Sequence, residues 1–209
     1  MAAVAGIIRC AALSILLMAV AGPALGTTYH YEGPTYNVRT GYTEPCSGGP
    51  CADYAFAMRV SGSFTTAAPL APNLSKVDIV ALVTSYTFSD GIHTYSSSNG
   101  SSWLVYFDAS TNASGVPTAA MFVDIATWIT GATPHKAGDR FSEFFIDGSV
   151  DAQNNATCSG VGPKHGVTDA CVTSFTDTST SFAFSQTGVW TISLGEVESA
   201  SIIPTLSEW

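Results

Sequence analysis

The side chains able to do chemistry in this 209-residue chain are few: five cysteines, four histidines and sixteen carboxylates. Four of the cysteines form two close pairs, Cys46 with Cys51 and Cys158 with Cys171, while Cys10 sits in an apolar leader. Such pairs either bond sulfur to sulfur in an oxidising compartment or hold a soft metal as thiolates. Neither spacing is the C-x₂-C knuckle of structural zinc sites, so disulfides are expected. Of the three connectivities that four cysteines allow, the local pairing 46–51 with 158–171 is favoured. Each bond then closes a loop rich in Gly, Pro or Ser and stabilises it by about 2–3 kcal/mol. Were the thiols reduced, Cys158, His165 and Cys171 would become a metal candidate.

The other chemical groups make no catalytic pattern. H-E-x-x-H, the G-x-S-x-G elbow and the P-loop are all absent from the sequence. His30, His93, His135 and His165 fall in turns or at strand edges without a placed partner, the usual position of a surface histidine. Gly160-x-Gly162-x-x-x-Gly166 misses the dinucleotide spacing and reads as a flexible loop closed by a disulfide. Asp147, Ser149, Asp151, Asn154 and Asn155 place oxygens at alternate positions, as calcium loops do. The EF-hand pattern fails there, however, with Ala152 at its sixth position and Cys158 at its twelfth; an acidic hairpin tip is the expectation, and no cofactor is assigned. For a glycosidase, Glu143 with Asp147, or Glu32 with Glu44, are the carboxylate pairs to nominate. Tyr29, Tyr31, Tyr36 and Tyr42 would be the aromatics to stack on sugars, although ordinary strand packing is the expected role.

Those residues need positions, and the dominant period along the chain is two. Tyr54–Val60, Leu82–Phe88, Trp103–Phe107, Phe122–Trp128, Phe141–Ile146, Phe175–Phe184 and Val189–Leu194 alternate or concentrate β-branched and aromatic residues, which suits pleated strands. Ser89-Asp90-Gly91, Asn99-Gly100, Asn112-Ala113-Ser114-Gly115, Asp147-Gly148 and Gly160–Pro163 supply turns. Ser75, with Asp78 three residues on, would cap one or two helical turns. The chain after the leader is therefore expected to be all-β: seven to ten strands in an antiparallel β-sandwich of jelly-roll type, with no long helix. Only 11% of residues are charged, and 16 acidic against 7 basic residues give a formal net charge of −9. Such a surface repels phosphates, which argues against nucleic acid and anionic lipid as partners.

The two ends read as addresses. Met1–Gly26 has one charge, Arg9, then an apolar run, a Gly22-Pro23 break and small residues placed for cleavage between Gly26 and Thr27. That is the layout of a secretory signal peptide. At the other end stand Ile203, Pro204, Thr205, Leu206, Ser207, Glu208 and Trp209. These seven resemble the head of the IPTL-CTERM sorting signal, a PEP-CTERM-like motif of exported proteins in Gram-negative bacteria. In that family the motif reads IPTL, two variable residues and Trp-Gly, then a membrane-spanning helix and a basic cluster; here the match runs through Trp209, without the glycine, helix or basic tail. The stretch from Arg59 to Tyr95, with its Phe88-Ser89-Asp90-Gly91 turn, is similar to a pattern of exported proteins of the same type. The resemblance implies a non-enzymatic cell-surface protein, handed to an exosortase-like membrane transpeptidase and associated with exopolysaccharide or biofilm. Without the helix, the product is expected in periplasm or medium. The expected organisation is signal peptide 1–26, sandwich domain 27–195, linker 196–202 and motif 203–209. The alternative function is a secreted carbohydrate-binding or carbohydrate-active module.

Overall fold

A computed structural model describes residues 26–194; the leader before it and the 203–209 motif lie outside the described residues. Two antiparallel sheets face each other. The smaller contains β1 (Thr27–Glu32), β3 (Ser61–Thr66), β5 (Val83–Ser89), β6 (Thr94–Ser96) and β13 (Val189–Leu194), in the order β13-β1-β3-β5-β6. The larger contains β2 (Val38–Thr40), β4 (Val77–Asp78), β7 (Ser102–Ala109), β8 (Phe122–Trp128), β9 (Arg140–Asp147), β10 (Ser149–Lys164) and β12 (Ser181–Gln186). Its order is β2-β12-β10-β9-β8-β7-β4, and β11 (Val167–Phe175) pairs with the far half of β10. This is the expected all-β antiparallel sandwich. No helix among the described residues is long and apolar enough to cross a membrane.

Alternation explains the core between the sheets. Val123, Ile125, Phe144, Ile146, Val150, Ala152 and Ala183 point inward from the large sheet, against Tyr29, Tyr31, Phe64, Phe88, Tyr95 and Trp190 from the small one. Phe64 meets Phe107 edge to face with ring centroids 4.8 Å apart, and Tyr95 meets Phe144 at 4.9 Å. One cross-strand row of the small sheet reads Trp190–Tyr31–Gly62–Phe88–Tyr95. Four large rings fit on that row because its centre has no side chain. A Cβ on Gly62 would collide with the Phe88 backbone and the Thr87 carbonyl. Gly62→Ala is therefore expected to destabilise by about 2 kcal/mol through overpacking, measured as a fall in urea midpoint at unchanged slope.

Four sequence expectations need correction. Tyr54–Val60 alternates but forms no strand: Tyr54 is tied inward through its hydroxyl, Met58 N–H closes a turn on the Ala55 carbonyl, and Phe56 is 52% exposed. Phe175–Phe184 is two strands with a tight loop between them. The short helix is a 3₁₀ turn at Val80–Leu82, preceded by Asp78, whose Oδ1 accepts from Val80 N–H at 2.9 Å; Ser75 does not cap it. The segment with Gly160 and Gly162 is ladder, since β10 runs through it and pairs with β11. Neither Gly160 nor Gly162 needs positive φ, and both accept strand geometry.

The β10–β11 hairpin creates a second, smaller core. The register of β10 shifts between Gln153 and Ala156, with Asn155 at φ 67°. Beyond that bulge the hairpin packs on the outer face of the large sheet. It buries Trp103, Ala126, Trp128 and Phe141 against Ala156, Cys158 and Ala170. Both expected disulfides are present, Cys46–Cys51 and Cys158–Cys171, the second joining the two strands of this hairpin.

Candidate functional site

The face of the large sheet turned away from the main core carries the chemistry. Paired strands put Tyr106, Asp124, Phe145, Asp151, Phe184 and Val38 side by side in one row across β7, β8, β9, β10, β12 and β2. The adjacent row reads Trp103, Ala126, Glu143, Gln153, Phe182 and Thr40. Aromatic rings and acids thus alternate across the sheet. The rings of Phe182 and Phe184 lie 6.4 Å apart and within 13° of parallel, which makes a flat step. Phe145, Asp151, Gln153, Phe182 and Phe184 are half-buried, their outer sides open to solvent.

Towards β7 the face closes. Asp124 is 2% exposed and hydrogen-bonds Glu143, whose Oε2 accepts from Gln153 Nε2 at 2.7 Å. Burial pushes both carboxyls up, Asp124 furthest, and the Glu143 charge adds to that shift. Asp124 Oδ1 has no hydrogen-bond partner. Lys164, at the end of β10, lies above this end of the face with its Nζ 4.5 Å from the centroid of the Tyr106 ring. His165 stands beside the same ring, 6.2 Å away.

Asp151 stands in the open half, and burial pushes its carboxyl up to about 6. A carboxyl whose folded value lies above its unfolded value binds its proton more tightly in the native state. Stability then falls as pH rises from about 4 through about 6, and the full cost is present above that window. Asp151→Asn is expected to be more stable than the parent at pH 8 by about 1 kcal/mol, allowing for its partial solvation. The difference should vanish at pH 4, as thermal melts at the two values will check.

The residues singled out from the sequence are dispersed. Glu143 pairs with Asp124, whereas Asp147 faces Lys76 at 3.8 Å. Glu32 meets Arg59 at 2.5 Å, and Glu44 accepts from the Tyr42 hydroxyl at 2.7 Å, so neither nominated pair forms. Tyr29, Tyr31 and Tyr36 are core residues, and Tyr42 alone of the four is only half-buried. The oxygens considered for calcium are divided: Asn154 Oδ1 accepts from His93 and Ser142, and Asn155 Nδ2 donates to the Gly48 and Ser179 carbonyls. Among the described residues no cluster of three or more His, Cys, Asp or Glu is placed for a metal. His165 tips the hairpin, and Cys158 and Cys171 are bonded to each other.

His135 and Asp169 make a pair that sequence reasoning missed. Their side chains hydrogen-bond at 2.8 Å, and the imidazole lies flat on Trp128 at 4.3 Å. Burial raises the Asp169 carboxyl, but hydrogen bonds from His135 outweigh this and hold it below the usual range. Among the described residues no Ser, Thr or Cys side chain hydrogen-bonds His135, so the pair clips the second core together. No protein-family model, curated protein or solved structure matches the chain.

Proposed function

We propose that the domain is an exported, non-enzymatic polysaccharide-binding module of the cell surface or matrix. Its ligand lies on the open half of the outer sheet face, over Phe145, Phe182 and Phe184. The observation that carries this reading is the row of half-exposed rings interleaved with Asp151 and Gln153. Flat aromatic faces take the apolar faces of pyranose rings, and amide and carboxylate groups between them take hydroxyls. The acidic balance favours neutral glycans over anionic ones. A hydrolytic role has less support. Asp124 and Glu143 are in hydrogen-bond contact, closer than the roughly 5 Å that even a retaining glycosidase leaves between its carboxyls, and Asp124 is sealed from substrate.

In this reading residues 203–209 are acted upon by an exosortase-like transpeptidase in the full-length protein. The two disulfides fit folding in an oxidising compartment, and export through cleavage after Gly26 belongs to the same proposal.

Affinity electrophoresis and calorimetry against neutral glucan, mannan and chitin oligomers test the binding face. Phe145→Ala and Phe184→Ala are expected to weaken binding at least tenfold while circular dichroism stays unchanged. Binding to none of these glycans, or binding indifferent to both substitutions, would overturn the assignment. N-terminal sequencing of the exported product tests the address, with Thr27 expected as the first residue.

A further inference from the structure

The geometry points to an intramolecular amide bond between Lys164 Nζ and Asp124 Cγ, formed with Glu143 as the proton carrier. It would tie the tip of the β10–β11 hairpin to the centre of the large sheet. Three observations converge on it. Asp124 is buried on a sheet face, has an oxygen without a hydrogen-bond partner, and lies directly across the strand pair from Tyr106. Cross-strand neighbours stand about 5 Å apart at Cβ. Lys164 Nζ rests on that same Tyr106 ring, 4.5 Å from its centroid, at the end of a flexible four-carbon stem. Among the described residues Lys164 Nζ lies within 4.0 Å of no carboxylate, Asp124 and Glu143 included, so its amine is not committed elsewhere and a turn of its stem must bring it onto Asp124. Glu143, hydrogen-bonded to Asp124 and steadied by Gln153, completes the group.

The chemistry balances without an oxidant, reductant or co-reactant. A protonated carboxyl is an electrophile, while a carboxylate is not, and burial favours the protonated form of Asp124. Lys164 first gives up its ammonium proton to solvent at the partly exposed hairpin tip, and the freed nitrogen lone pair then attacks Asp124 Cγ. The Glu143 carboxylate takes a proton from the nitrogen of the tetrahedral adduct and returns it to a departing hydroxyl. One C–N bond forms, one C–O bond breaks, and one water leaves. Glu143 ends as it began. Burial of Asp124, 2% exposed, keeps water from the reacting carbon and favours the condensed product. A hairpin already bonded across its strands by Cys158–Cys171 would gain a second anchor at its tip.

Intact mass spectrometry of the purified full chain, disulfides formed, tests this. The expected mass is lower than the sequence requires by one water, and proteolysis should yield one branched peptide containing both Lys164 and Asp124. Lys164→Arg and Asp124→Ala should each restore the full mass, and Glu143→Gln should leave most of the protein unlinked. Lys164→Arg keeps the charge at a partly exposed hairpin tip, so its fold is expected to persist, checked by circular dichroism. A parent chain of full mass that gives two separate peptides overturns the proposal. So does a lost water mapped to a cyclised Asp90-Gly91 or Asp147-Gly148 instead.

Discussion

Asp90→Ala is expected to destabilise the domain by about 4–5 kcal/mol, a large share of the 5–15 kcal/mol that holds a domain of this size. Asp90 is fully buried, in the turn after β5, and its carboxylate accepts four hydrogen bonds. Oδ1 takes the backbone N–H groups of Ile92 and His93 at 2.8 and 2.6 Å, and Oδ2 takes the hydroxyls of Tyr54 and Tyr95 at 2.8 and 2.7 Å. Its carbonyl takes a fifth, from the Tyr36 hydroxyl at 2.9 Å. Burial first, and the Asp90 charge second, push the Tyr36, Tyr54 and Tyr95 hydroxyls up, which marks how dry this site is. Alanine leaves two backbone donors and two phenols without an acceptor, and such orphans cost about 1–3 kcal/mol each before relaxation. Asp90→Asn keeps one acceptor oxygen for the backbone pair and lets the phenols turn to accept from its amide, so its cost should be about half. Urea unfolding of both variants, with near-ultraviolet circular dichroism of the tyrosines, separates these outcomes. A loss below about 1 kcal/mol in the alanine variant would show that water replaces the carboxylate freely.

That hub shows what a linear reading can and cannot reach. Ser89-Asp90-Gly91 announces a turn by residue type, and the turn is there with Gly91 at φ 97°. Nothing in the sequence couples it to Tyr54, 36 residues away, because the link is a hydroxyl meeting a carboxylate across the end of the sandwich. The same hydroxyl explains why the alternation around Tyr54 yields a loop. Strands β7, β8 and β9 were legible because one face of each is continuous apolar core. The half of β10 beyond Gln153 was not, since its Gly, Ser and Thr content reads as loop while its pairing comes from β11 and its burial from Trp103 and Trp128. The aromatic and acidic rows are invisible along the chain for a related reason: neighbours in a row are set by strand register. Asp124 left one trace, a carboxylate among Phe122, Ala126 and Trp128 on one face of a strand whose other face is also apolar. The cysteine pairs were legible because both bonds are local.

The second large effect is expected at Arg140, where three separate segments are joined. Its Nη1 donates to Asp177 Oδ1 at 3.0 Å and to the Asn155 carbonyl at 2.8 Å, and its Nη2 donates to Asp177 Oδ2 at 2.8 Å. Asn155, at the β10 bulge, in turn donates to Gly48 in the Cys46–Cys51 loop and to Ser179 in the loop before β12. Gly49 packs so closely there that a Cβ would collide with Asn155 Oδ1. Arg140→Ala leaves Asp177 and a bulge carbonyl without their donor. The loss is expected near 3 kcal/mol, at the low end for a broken buried pair because the Asp177 side chain is 29% exposed. Hydrogen bonding from Arg140 is the main reason that the Asp177 carboxyl is held below its usual range. A lowered carboxyl contributes stability above its unfolded value near 3.9 and loses it as pH falls through the folded value. The gap between parent and Arg140→Ala should therefore be full at pH 6 and shrink steadily below pH 4. Arg140→Met combined with Asp177→Leu should recover much of the loss, since apolar groups of similar size can replace a buried pair. If the single variant is as stable as the parent at pH 6, or if the gap does not change with acid, the bridge does not organise this corner.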